Sequence, residues 1–169
     1  DRAHATKRNR PLASGRVYLP WAFADGPALM ILPLLVSLIL LPKFALVLLA
    51  YGVIAMSYTL YLKEVAVLDV FVLAVLYTMR LIAGHVAAEI VFSSWLLGFS
   101  MVLFLSLAMM KRLQEMQSVR EGRLTALHGR GYQVGDLEMI NNFGVASGYL
   151  SVLVLALYVN SDQVRILYR

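Results

Sequence analysis

Five apolar runs decide what this chain can fold into. Residues 21–41, 44–62, 67–88, 94–110 and 144–160 each reach, or nearly reach, the roughly 20 helical residues that cross a hydrocarbon core about 30 Å thick. Lipid offers no partner to a backbone amide, so a spanning run must satisfy its own hydrogen bonds as a helix. A chain of 169 residues that is 60% hydrophobic and 15% charged, with mean hydropathy +0.74, carries more apolar surface than a soluble domain of this size can bury. The expected fold class is therefore all-α, a polytopic membrane helix bundle with about five transmembrane helices. The expected organisation is a cytosolic polar loop over 1–20, four spans within 21–110, a cytosolic helix and loop over 111–143, a fifth span over 144–160 and a tail over 161–169.

Short polar turns at Pro42-Lys43, Lys63-Glu64 and residues 89–93 make consecutive spans antiparallel neighbours. With the N-terminal loop in the cytoplasm, Lys63 and the cations of 111–130 fall on that same side, and only Lys43, Arg165 and Arg169 fall on the other. This is the orientation that the positive-inside rule selects. It also brings the long polar segments and the Lys63 turn to one membrane face. The net charge of +5 is explained by this placement, and with no basic stripe or nucleic-acid motif a nucleic-acid partner is not expected. Zero cysteines exclude disulfides, thiolate metal sites and a cysteine nucleophile. The absence of a starting Met, in a chain that opens inside a working loop, suggests a piece of a longer protein.

The first sixteen residues hold one carboxylate, Asp1, and five cations, among them Lys7, Arg8 and Arg10. Fixed cations suit phosphate oxygens, and an aspartate facing them suits Mg²⁺ bridging carboxylate and phosphate. A topology determinant or an anionic-lipid contact explains the charge alone equally well. In the long connection, Leu113, Met116, Leu124 and Leu127 fall near helical spacing and predict a surface helix leaving the fourth span. Gly129-Arg130-Gly131-Tyr132 then breaks it, and that turn can offer backbone amides and the Arg130 guanidinium to an anion. Gly144 and Gly148, four apart, predict close helix packing.

Several charged residues invite chemistry. Lys111, Arg112 and Glu115 stand where the fourth span leaves the membrane; the cations suit a helix C-terminus, whereas Glu115 opposes the dipole there, which favours a metal or substrate-hydroxyl role. Arg80 lies inside the third span, and Asp69, eleven residues earlier, falls on roughly the same face, so the two are expected to line one polar cavity. Lys63 is a candidate point charge for phosphate. Tyr58 and Tyr61 read as interfacial anchors, and His85 with Glu89 as a structural pair.

The pattern Asp1, then Asn9-Arg10-Pro11-Leu12 and Ser14-Gly15, resembles the tail of the first Asp-rich motif of the UbiA prenyltransferase superfamily. Asp1 matches only the last Asp of that motif, so the earlier acidic residues and two helices would precede this chain as an N-terminal remainder of the same polypeptide. Asp1-Arg2-x-His4-x-x-Lys7-Arg8-x-Arg10-Pro11, Tyr58-x-x-x-x-Lys63, the Asp69 to Arg80 to Gly84 helix and Lys111-Arg112-x-x-Glu115 look most like the decaprenyl-phosphate phosphoribosyltransferase branch. The resemblance implies part of a nine-helix bundle in a bacterial inner membrane, its active face cytoplasmic. It implies transfer of 5-phosphoribose from phosphoribosyl diphosphate to polyprenyl phosphate with Mg²⁺ as cofactor. Asp1 would hold metal, Lys7, Arg8 and Arg10 the diphosphate, and Lys63, Lys111 and Arg112 further phosphates; Arg80 and Arg130 would also contact substrate, with Glu115 and Asp69 catalytic. Where other members carry a second Asp-rich motif, this sequence has Lys111, Arg112 and Glu115, which argues against a prenyl diphosphate held by two metal clusters. The alternatives are an aromatic prenyltransferase using a polyprenyl diphosphate, and a non-enzymatic scaffold binding anionic lipid.

Overall fold

The computed structural model describes residues 19–121, 131–161 and 164. They form five α-helices, α1 (Leu19–Leu40), α2 (Pro42–Leu60), α3 (Leu68–Ala88), α4 (Ser94–Arg120) and α5 (Leu137–Val159), with short 3₁₀ turns at Leu62–Glu64 and Val134–Asp136 and no strand among the described residues. Helices α2 to α5 are each long and apolar enough to cross a membrane, and α1 contributes the apolar stretch Ala28–Leu40. The all-helical membrane bundle expected from hydropathy is what forms.

The chain divides into two compact units, Asp1–Leu46 and Val47–Arg169. In the first, α1 ends at Leu40, two residues before Pro42, because the proline ring disfavours helical backbone in Leu41, the residue that precedes it. Pro42 itself then opens α2, where its missing N–H costs nothing. The break is thus Leu41 alone, a shorter interruption than the Pro42-Lys43 turn expected.

In the second unit α3, α4 and α5 pack in antiparallel succession. Tyr77 of α3 meets Phe104 of α4 with ring centroids 5.4 Å apart, while Asp69, at the start of α3, meets Arg112, near the end of α4. Between α4 and α5, Trp95 lies against Tyr158 and Met109 against Gly144, again in reverse order. Two glycines permit this approach: a Cβ on Gly144 would lie 3.2 Å from the Met109 Cβ, and one on Gly148 would lie 3.2 Å from the Ser106 Oγ. Ser106 closes the contact by donating to the Gly144 carbonyl over 2.8 Å. The close packing read from these glycines is present.

The helix expected to leave the fourth span is present, continuous with it as far as Arg120, and one boundary differs from expectation: α5 begins at Leu137 rather than near Gly144. The core of this end is one buried cluster of Val70, Ala108, Met109, Leu113, Met116, Tyr132 and Ile140, to which the end of α4 gives Leu113 and Met116 and the start of α5 gives Ile140. Leu113 and Met116 therefore face the bundle rather than a membrane surface; Leu124 and Leu127 lie outside the described residues. The polar 111–120 stretch stays helical because one face of it is buried here.

Candidate functional site: a buried ionic cluster at the α3–α4 end

The charged residues of this end are organised around Asp69. It occupies the first turn of α3 and is fully buried, a position that is untenable for a carboxylate without partners. Arg112, 3% exposed, reaches across from α4 and donates from one guanidinium nitrogen to Asp69 and from the other to Glu115. The Tyr132 hydroxyl donates to the second Asp69 oxygen, and the Arg112 guanidinium stacks over the Tyr132 ring, 5.4 Å from its centroid. Tyr58, at the end of α2, is half-buried beside the same guanidinium. The Arg112 Nε is buried with no hydrogen-bond partner among the described atoms.

Backbone contacts tie three segments into this cluster. Val67 N–H donates to the Tyr132 hydroxyl over 2.8 Å. Gly131 N–H donates to the Glu64 carbonyl over 2.9 Å, and a Cβ on Gly131 would stand only 2.7 Å from that oxygen, so this approach needs glycine. The α2–α3 turn, the end of α4 and the segment entering α5 thus meet at one place. Lys63 is half-buried in that turn, and Lys111 is exposed beside Arg112. Burial, followed by the bond to Asp69, pushes the Tyr132 phenol well above its ordinary value of 10.0, which keeps it a proton donor at every physiological pH.

Several expected roles change. Asp69 and Arg80 do not share a cavity: Asp69 turns to Arg112 and Tyr132, whereas Arg80 is exposed on α3 and donates to the Tyr51 hydroxyl over 3.0 Å. Its guanidinium lies over the rings of Tyr51 and Tyr77, 5.7 and 5.0 Å from their centroids. Equal angular position on a helix did not bring them together, because a dozen or so residues of rise separates them by roughly 16 Å. Glu115 does not oppose a helix C-terminus, since α4 runs on beyond it, and it forms an ion pair with Arg112 three residues before. Tyr58 joins the ionic cluster, beyond the anchoring role expected of it. His85 is structural, with Nδ1–H donating to the Leu81 carbonyl over 2.8 Å and its ring stacked on Phe92. Asp1, Lys7, Arg8, Arg10 and Arg130 lie outside the described residues.

Two participants were not found from sequence, the Tyr132 hydroxyl and the Asp69–Arg112 pair. A usable signal existed for the second. An intramembrane carboxylate demands a cation, and an antiparallel α3–α4 hairpin sets the start of α3 opposite the end of α4, where Arg112 lies.

The donor set was tested for a divalent metal. Among the described residues no group of three His, Cys, Asp or Glu side chains stands together, and Asp69 and Glu115 both direct an oxygen to Arg112. A guanidinium between two carboxylates occupies the position that a hard cation would need. The cluster does not fit Mg²⁺.

The model of the UbiA prenyltransferase family matches residues 1–161. The chain belongs to the UbiA prenyltransferase family. The family and the four long apolar helices together mark an integral membrane protein. Among curated relatives, it is 37% identical over 159 residues to the uncharacterized protein y4nM of Sinorhizobium fredii, covering 94% of this chain and 31% of that one. It is 33% identical over 164 residues to the nodulation protein NoeC of Azorhizobium caulinodans, covering 97% of this chain and 53% of the relative. It is 38% identical over 117 residues to the decaprenyl-phosphate phosphoribosyltransferase of Mycolicibacterium smegmatis, covering 69% of this chain and 37% of the relative. The chain thus spans between about a third and a half of the length of these relatives.

Proposed function

We propose that this chain is part of a longer UbiA-family polypeptide that transfers 5-phosphoribose from phosphoribosyl diphosphate to a polyprenyl phosphate, with Mg²⁺, at the cytoplasmic face of a bacterial inner membrane. The observation that carries this reading is the Asp69–Arg112–Glu115 cluster. The last turns of α4, where the resemblance puts a second Asp-rich motif in other members, carry Lys111 and Arg112, and the acidic side chains beside them, Asp69 and Glu115, are paired with Arg112. Such a surface suits phosphate groups better than it suits a second metal cluster. Similarity to the mycobacterial phosphoribosyltransferase points the same way, as does the motif Asp1 to Arg10.

In the reaction, a phosphate oxygen of the lipid attacks C1 of the ribose, the C1–O bond to diphosphate breaks, and the diphosphate leaves with the bonding electron pair. The product is lipid-linked phosphoribose, and the sum of atoms is unchanged. Mg²⁺ held through Asp1 would neutralise charge on the departing diphosphate. Lys7, Arg8 and Arg10 hold the donor, and Lys63 and Lys111 hold phosphate oxygens as point charges. Glu115, 30% exposed, orients a ribose hydroxyl, while Asp69 and Arg112 act from beneath by fixing the end of α4 against α3. The chemistry is mostly positioning and charge stabilisation.

The experiment supplies the parent polypeptide in membranes with Mg²⁺, polyprenyl phosphate and donor labelled in the ribose, then extracts the lipid. Label enters the lipid, and Arg10→Ala or Lys111→Ala lowers its entry by about a hundredfold. Arg10→Lys is also impaired, because a bidentate clamp is lost. Unlabelled lipid together with a prenylated aromatic acid, formed from a polyprenyl diphosphate, overturns the reading in favour of an aromatic prenyltransferase. Tolerance of Arg10→Lys with no transfer at all identifies a lipid-binding scaffold.

A further inference from the structure

The head of α3 carries strain that its own sequence does not require. Val67 sits at φ 68° and ψ −46°, and Leu68 N–H donates back to the Ala66 carbonyl over 2.8 Å. A bond from residue i+2 to residue i around a positive φ is the rare and strained form of γ-turn. For a β-branched side chain the conformation is a true outlier. Conformations of this kind persist only where their surroundings over-determine them, and they gather at functional sites.

The surroundings here are specific. The Val67 N–H is held by the Tyr132 hydroxyl at 2.8 Å; that hydroxyl donates to Asp69, and Asp69 is held by Arg112. One residue before Tyr132, Gly131 N–H grips the Glu64 carbonyl at 2.9 Å. The strained turn is therefore flanked by Lys63 and Glu64 on one side and Asp69 on the other, and the clamp that holds it is joined to the helix that carries Lys111 and Arg112. The two ends of the arrangement, half-buried Lys63 and exposed Lys111, are cations assigned above to phosphate. A phenol needed only as core filling would use its ring, and here the hydroxyl makes both critical contacts.

We propose that Tyr132 is a positioning residue: its hydroxyl latches the strained Val67 turn to the Asp69–Arg112 pair and so sets Lys63 and Lys111 at a fixed separation for the phosphates of the donor. This rests on the phosphoribosyl-transfer reading. Preset cations meet a phosphate without reorganisation, so their loss of register weakens donor binding before it slows the chemical step. The strain is then the cost of the presetting, since relaxing Val67 into an ordinary helical or extended conformation would move Lys63 away from the clamp.

The test is a cycle of Tyr132→Phe, Val67→Gly and the double variant in the parent polypeptide in membranes, read as kcat and donor KM in the ribose-label assay. Tyr132→Phe keeps the ring over Arg112 and raises donor KM about tenfold, with kcat within about threefold. Glycine adopts positive φ freely, so Val67→Gly alone stays within about threefold, and in that background Tyr132→Phe costs less than about threefold in KM. An unchanged KM in Tyr132→Phe, or independent, multiplying effects in the double variant, overturns the latch. If Tyr132→Phe lowers the amount of folded protein, Gly131→Ala breaks the companion contact and must raise donor KM; an unchanged KM there also overturns it. Failure of the underlying reading is seen separately, as absence of label transfer by the wild type. Amide exchange at Val67 then decides the latch without turnover: acceleration of about tenfold or more in Tyr132→Phe supports it, and unchanged exchange refutes it.

Discussion

Replacing Arg112 by Met tests whether the ionic cluster has the energetics its geometry implies. The pair is buried on both sides, Asp69 fully and Arg112 to 3% exposure. Removing the guanidinium leaves the buried Asp69 carboxylate with the Tyr132 hydroxyl as its side-chain partner among the described residues, while Glu115 is 30% exposed. The cost thus falls on Asp69, and breaking a buried pair by deleting one partner costs about 3–5 kcal/mol. A second substitution, Asp69→Asn, removes the stranded charge and keeps an amide oxygen to accept from Tyr132. Neutral hydrogen bonds of this kind differ by about 1 kcal/mol, so Asp69→Asn/Arg112→Met lies only about 1–2 kcal/mol below wild type and is more stable than Arg112→Met alone. The assay is unfolding of the parent polypeptide in mixed micelles with a rising fraction of denaturing detergent, followed by helical circular dichroism. An Arg112→Met variant within about 1 kcal/mol of wild type would refute the reasoning, as would a double variant less stable than the single.

Further outcomes follow from the same contacts. Gly144→Leu places a side chain against the Met109 Cβ, already 3.2 Å from where a Cβ would stand; it lowers stability by about 1–3 kcal/mol by overpacking. Gly98→Ala, where nothing lies within 4 Å, is neutral or gains up to about 1 kcal/mol of helix propensity, so the two glycines of the α4–α5 hairpin give opposite signs in one unfolding assay. Arg80→Lys loses the planar stacking between Tyr51 and Tyr77 and costs about 0.5–2 kcal/mol, which the same assay reads. For pH, the Tyr132 phenol is raised above its ordinary 10.0 in the folded chain. The folded state therefore keeps a proton that the unfolded chain loses, stability is complete below pH 10, and it declines above, by at most about 1.4 kcal/mol per pH unit. Thermal unfolding from pH 8 to 11 shows this extra decline in wild type and not in Tyr132→Phe.

Hydropathy made the helices legible because a spanning run must be helical and apolar throughout, which leaves little ambiguity in where α2, α3 and α5 lie. It was a poorer guide to where α5 begins. Residues 111–120 carry Lys111, Arg112, Glu115 and Arg120, so the apolar run ends there, and it was the helical spacing of Leu113 and Met116 that pointed to continued helix, though to a membrane surface rather than to the core in which they are buried. The core at this end is partly ionic, and no window average distinguishes a charge that faces water from one that faces another charge. Candidate residues were found one at a time, by type and local spacing, and most of those described lie at or next to the cluster. Their partners were harder to find: Asp69 is 43 positions from Arg112 and 63 from Tyr132, and local periodicity instead proposed Arg80. Tyr132 escaped because its hydroxyl acts through a backbone strain at Val67 that nothing in a Val-Ala-Val sequence announces.

The central claim is that the reaction delivers phosphoribose to lipid. It is tested most directly by incubating the parent polypeptide in membranes with Mg²⁺ and both reactant pairs together, phosphoribosyl diphosphate with polyprenyl phosphate and polyprenyl diphosphate with an aromatic acid, and weighing the lipid products by mass spectrometry. The account predicts polyprenyl phosphate heavier by one phosphoribosyl group and no prenylated aromatic acid. A prenylated aromatic acid with the polyprenyl phosphate unchanged in mass would contradict it.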